Sequence, residues 1–159
     1  MGNGVFNIGK GRVVEYYNRV EGNDPAASAL IIMLGFGTIT DAVLIDLDDF
    51  LAITGDANFT EATFTNYGRK TLTDVELAAL PAPDDGNDRY EVDAPDQTFS
   101  SAGNGTNNTL TRLVIGYDND TGAGTDANII PLTFHDFAVT TDGSDLTAQF
   151  NALGFFRAA

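Results

Sequence analysis

Residues 66–99 read NYGRKTLTDVELAALPAPDDGNDRYEVDAPDQTF and carry three of the eight basic residues of a chain with a net charge of −15. The stretch opens on a strand signal, Tyr67 to Leu72, in which an aromatic residue, a glycine and two basic residues precede Thr71 and Leu72. Thr73 and Glu76 follow at the spacing of a capping box, where each side chain satisfies the other's free backbone amide. Pro81 and Pro83 stop any helix there, because proline lacks the amide that a helix interior needs. After the acidic loop 84–88, alternation resumes at Arg89–Asp93 and places Tyr90 and Val92 on one face of a strand. Strand, turn and strand in this order predict a β-rich framework. The stretch reads as a structural hub rather than a reaction centre.

The flanking sequence points the same way. Ala29 to Leu34 is a continuous apolar run, and Leu110 to Tyr117 is the most apolar strand candidate of the second half, expected at the centre of the sheet. Ile129–Val139 and Leu146–Phe156 read as two final strands joined by a hairpin-type turn at Thr141–Ser144. Asp46 is placed to cap a short helix through Leu47, Phe50, Leu51 and Ile53, with Gly55 as its stop. The expectation is about seven to nine strands with one or two short helices. That makes a mainly β chain, a β-barrel or β-sandwich over residues 23–159, preceded by residues 1–22 as an extended N-terminal arm or edge strand. Val13, Tyr16, Tyr17 and Val20 fall at helical spacing, yet GRVVEYYNRV is rich in β-branched and aromatic residues. Periodicity alone leaves both readings open.

Composition excludes several function classes. Aspartate outnumbers glutamate 18 to 5, and so acidic a chain opposes nucleic acid, whose phosphates call for Lys and Arg. With no cysteine, disulfides, thiolate metal sites and a cysteine nucleophile are all absent. No run of about 18 apolar residues is present, so no membrane helix is predicted. The amino terminus lacks the order of a signal peptide.

Motifs for chemistry are sparse. His135 is the lone histidine, and neither Ser144 nor Ser101 sits in a GxSxG elbow to serve it as nucleophile. Asp118, Asp120, Gly122 and Asp126 suggest a calcium loop, but Ala123 stands at the tight-turn glycine and Ile129 at the bidentate glutamate. The amino-terminal glycines lack the lysine and hydroxyl residue of a phosphate loop. The reading is a non-enzyme without cofactor or metal.

Several segments carry a family likeness: KGRVVEYYNRV (10–20) with the following NDPAASALII, NYGRKTLT (66–73), PAPDDGNDRYEVDAPDQTF (81–99), and IIPLTFHDFAVTTDGSDLTAQF (129–150) with the GFFRA ending. In these the chain resembles small virion structural proteins of tailed bacteriophages, particularly those infecting actinobacteria, of the minor capsid or head-decoration type. The resemblance implies a mainly β protein that binds the assembled shell against the major capsid protein, as a homotrimer on the capsid outer surface. A trimer would carry three times −15, or −45, which packaged DNA repels. Residues 1–22 are the one near-neutral segment. Lys10, Arg12 and Arg19 with Tyr16 and Tyr17 are therefore the expected docking contacts. Arg69, Lys70 and Arg89 are expected as internal counter-charges or contacts between protomers, with Arg69→Ala weakening assembly more than Arg112→Ala. A tail or head–tail joining protein and a carbohydrate-binding β module are the alternatives.

Overall fold

The computed structural model describes residues 2–151 and 154–158. Its chain order is β1 (Gly4–Val5), α1 (Val13–Glu21), β2 (Ala29–Gly37), α2 (Asp41–Leu44), α3 (Phe50–Gly55), β3 (Phe59–Glu61), β4 (Lys70–Leu72), β5 (Tyr90–Val92) and β6 (Gln97–Phe99). There follow β7 (Thr109–Asp118), a 3-10 turn at Asp126–Asn128, β8 (Ile130–Thr140), β9 (Leu146–Ala148) and β10 (Phe156–Ala158). The main antiparallel sheet runs β1-β8-β7-β2-β3, with β4 also paired to β2, and β10-β5 and β6-β9 form two small ribbons. The fold is mainly β with short helices, as the sequence predicts, and it is compatible with a β-sandwich. The sheet stays open, so a barrel is not formed, and among the described residues there are three helices rather than one or two.

The centre of the sheet follows from the pattern of β2. Successive strand residues point to opposite faces, and here both faces are apolar. Leu30, Ile32 and Leu34 enter one core with Leu113, Ile115 and Tyr117 of β7. Ala29, Ile31 and Met33 enter the other, with Val114. A strand buried on both sides reads as a continuous apolar run, which is why β2 is so legible. The second core is closed by Leu44, Phe50 and Ile53 from α2 and α3. The first is closed by α1 and by residues of the ribbons such as Val92, Phe99, Leu146 and Phe155. Pro131 lies on β8 where the pairing with β7 shifts register, a place where a missing amide does least harm to a ladder.

Four sequence expectations are corrected. Residues 13–21 form a helix, not an extended arm, and Val13, Tyr16, Tyr17 and Val20 are all buried along it. In a strand Tyr16 and Tyr17 would face opposite ways; in a helix all four fall on one stripe. Burying such a stripe contributes roughly 1.5–3 kcal/mol per large side chain, which outweighs the small helix propensity penalty of its β-branched and aromatic residues. Extended pairing in this region is confined to the short edge strand β1 against Phe134 and Thr133.

The second correction concerns the helix expected from Leu47, which begins instead at Phe50 and is capped not by Asp46 but by Asp49, whose side chain accepts from the Ala52 amide at 2.6 Å. Third, β9 does not form a hairpin with β8 but pairs with β6, Phe99 opposite Leu146. Fourth, the hub is not 66–99 but the β2-β7-β8 triplet. Residues 66–99 wrap the first core, contributing Leu72, Leu77, Val92, Ala94 and Phe99. The Thr73 capping contacts do form, with the Thr73 amide donating to Glu76 at 2.7 Å, but on a single turn rather than a helix.

Candidate interaction surface

Seven of the eight cations divide sharply by what surrounds them, and the eighth, Arg157 of β10, is exposed at the far end of the chain. Arg112 of β7 is fully buried. Its guanidinium pairs with Asp41 and, at 2.7 Å, with Asp136, and donates to the Gly2 carbonyl at 2.9 Å. It also lies over the Phe134 ring, 5.5 Å from the centroid. Arg112 thus ties the amino-terminal segment, α2 and β8 to the central strand. In the sequence Arg112 stands only as the weaker comparison to Arg69, yet a signal marks it: a lone arginine inside the apolar run TLTRLVIGY.

Arg69 is consumed in the same way. It forms paired bonds to Glu61 (2.7 Å to each oxygen) and to Asp126 (2.5 and 2.8 Å), and sits 5.4 Å from the Phe50 ring centroid. Those bonds hold Asp126 below the usual carboxylate range. Arg89 pairs with Asp84 and Glu91, each at 3.0 Å. Lys70 lies 4.8 Å from the Phe99 ring centroid, a cation–π contact. Arg69 and Arg89 are therefore internal counter-charges, one of the two roles expected for them.

Lys10, Arg12 and Arg19 remain on the surface beside α1. Lys10 donates to Asn7 at 2.7 Å, Arg12 donates to the Tyr16 hydroxyl at 3.1 Å, and Arg19 pairs with Glu15 at 3.0 Å. Tyr16 and Tyr17, expected as docking contacts, are core residues instead. Tyr16 stacks on Tyr117 with centroids 4.4 Å apart, pinning α1 to β7. Tyr17 donates to the Ala78 carbonyl at 2.8 Å, and burial pushes its hydroxyl up to about 12. Between α1 and the segments that flank the 119–128 loop lies an open trough of about 530 Å³, bordered by Arg12, Glu15, Arg19, Pro25, Asn119, Asn128 and Ile130.

The residues weighed for catalysis do not converge. His135 contacts Thr133, Nε2 to Oγ1 at 3.0 Å, whereas the Ser144 hydroxyl donates to Asp142 and the Ser101 amide to Asp145. The Asp118 and Asp120 carboxylates accept amides of their own loop, while Asp126 is tied to Arg69. No group of three acidic or histidine side chains suited to a metal ion occurs among the described residues. Among those residues, too, no helix is long and apolar enough to cross a membrane.

Burial pushes the His135 imidazole down to about 4, against about 6.5 in an unfolded chain. Between those values the unfolded state binds the extra proton. His135 therefore contributes stability that is complete above about pH 6.5 and is lost as the pH falls toward about 4. Thermal melts across this window are expected to show a falling midpoint in the wild type and a flatter profile in His135→Gln. Equal slopes would show that His135 is no part of the acid response. Asp126, held low by Arg69, adds its own loss only below its ordinary value of 3.8.

No family model, curated protein or solved structure matches this chain. Its class is set by the fold itself: an open antiparallel sheet with apolar cores on both faces, whose exposed cations lie mainly beside one helix.

Proposed function

We propose that this is a structural, non-enzymatic protein of a tailed-phage virion that binds the outer face of the assembled capsid, against the major capsid protein, as a homotrimer. The observation that carries the reading is the separation of the cations. Arg69, Arg89 and Arg112 are spent on internal ion pairs, whereas Lys10, Arg12 and Arg19 stay exposed together beside α1. In so acidic a chain a local positive face selects an acidic partner and steers its approach. The net charge of −15 supports a place outside the shell, away from packaged DNA. The resemblance of residues 10–20, 66–73, 81–99 and 129–150 to virion proteins supports the same class.

Such a protein works by binding the assembled lattice better than its free subunits, so that occupancy shifts the equilibrium toward the shell. At a ligand concentration a hundredfold above Kd, that linkage contributes about 2.7 kcal/mol. The test is co-sedimentation with purified particles of the encoding phage, joined to a particle map. Wild type is expected to pellet with heads and to appear as three-fold density on their exterior, and Lys10→Glu/Arg12→Glu/Arg19→Glu is expected to stay in the supernatant. Density at the tail or the head–tail joint would replace this reading with a joining protein.

A further inference from the structure

We propose that the trough beside α1 receives an extended, acidic segment of a protein partner, with a carboxylate seated on Arg12. The inference rests on docking through α1 and adds the chemistry of what docks. Among the described residues Arg12 has no carboxylate within ion-pair distance, although the chain holds 23 acidic residues. Its one side-chain hydrogen bond goes to the Tyr16 hydroxyl at 3.1 Å. A guanidinium has five N–H donors, so that bond fixes its direction and leaves most of the fork open. A carboxylate is the group that fits such a fork, through two parallel bonds. Because Tyr16 is itself held by its stack on Tyr117, the arginine is ordered before the partner arrives, which lowers the entropy lost on binding.

The other residues of the trough suit a peptide. Asn119 and Asn128 each offer a carboxamide, donor and acceptor together, matching the amide and carbonyl of an extended backbone. Pro25 and Ile130 supply apolar surface between them. A sugar is less well served. Tyr16 is 7% and Tyr117 4% exposed, and the rings are stacked on each other, so neither presents a free face for a pyranose. A phosphate polymer offers no alternating amide and carbonyl groups for Asn119 and Asn128 to pair with.

Glu15 is the internal competitor. It holds Arg19 at 3.0 Å in an exposed i,i+4 pair, a contact weak enough for an incoming carboxylate to displace. Three substitutions should therefore move affinity, two of them down and one up. The probe is a fluorescein-labelled hexapeptide of alternating glutamate and glycine, read by anisotropy at low salt against the matching glutamine peptide. Wild type is expected to prefer the glutamate peptide by about tenfold or more, the scale of one charge-assisted hydrogen bond. Arg12→Gln is expected to abolish that preference, and Asn119→Asp, which adds a negative wall, to reduce it. Glu15→Gln is expected to tighten binding by freeing Arg19.

All three side chains are exposed, and melting curves matching wild type would show that each variant folds. No preference in the wild type, or a preference untouched by Arg12→Gln, overturns the proposal, as does tighter binding of an oligogalacturonate. Particle co-sedimentation separates the two readings. Loss of pelleting in the triple charge-reversal variant with no peptide preference would retain capsid docking and remove the trough. Peptide preference without pelleting would do the reverse.

Discussion

Arg112→Ala is expected to lose about 3–4 kcal/mol of folding stability, enough to lower the melting midpoint by roughly 10 °C in a chain of this size. Two effects add. Removing a fully buried side chain from the central strand leaves a cavity beneath Phe134. It also strips Asp41, Asp136 and the Gly2 carbonyl of their shared donor, so that the amino-terminal segment, α2 and β8 lose a common anchor. The two carboxylates are 43% and 41% exposed and recover water once the arginine is gone, which limits the loss. Arg112→Met keeps most of the volume and leaves no buried charge, so it should cost about half as much. Urea denaturation of the three proteins decides the matter. An alanine variant within about 1 kcal/mol of wild type would mean that the ion-pair cluster contributes little beyond its desolvation cost.

Gly37→Ala is expected to cost about 3 kcal/mol. Gly37 has φ of 140°, a conformation that side chains rarely adopt, and an added Cβ would stand 2.1 Å from the Asn58 carbonyl oxygen. That oxygen cannot move aside, because it already accepts the Thr38 and Ile39 amides at 2.9 and 3.0 Å. Neither a rotamer change nor a small backbone shift relieves both problems. Gly55, whose added Cβ would meet nothing within 4 Å, is the matched comparison. Gly55→Ala should fall within about 0.5 kcal/mol of wild type by calorimetry or chemical denaturation. Similar losses at the two positions would show that general loss of backbone freedom, rather than the contact with Asn58, sets the cost.

These residues also mark where sequence reading succeeds and where it stops. β2 and β7 were legible because a strand buried on both faces must be apolar throughout, and only a few residue types meet that demand. The Thr73–Glu76 contacts were legible because they lie three residues apart, although a turn rather than a helix carries them. The 13–21 helix was not, since its residues satisfy a strand propensity and a helical period at once. The choice was made by Tyr117, a hundred positions away along the chain, whose ring Tyr16 stacks upon. The expected docking set changed for the same reason. Tyr16 and Tyr17 are expected as docking contacts only because they lie in the near-neutral segment that the virion resemblance points to, and the helical stripe turns both inward.

The amino-acid sequence by itself determined the β-rich class, the central place of the Leu110–Tyr117 strand and the acidic character that opposes nucleic acid, because these depend on composition and on patterns a few residues long. Which cations are free was decided only by tertiary structure. Arg69 meets Asp126, Arg112 meets Asp41 and Asp136, and Arg12 has no carboxylate within ion-pair distance among the described residues. Each outcome depends on which distant segments the sheet brings side by side. A charge reveals its partner only once the chain has closed around it.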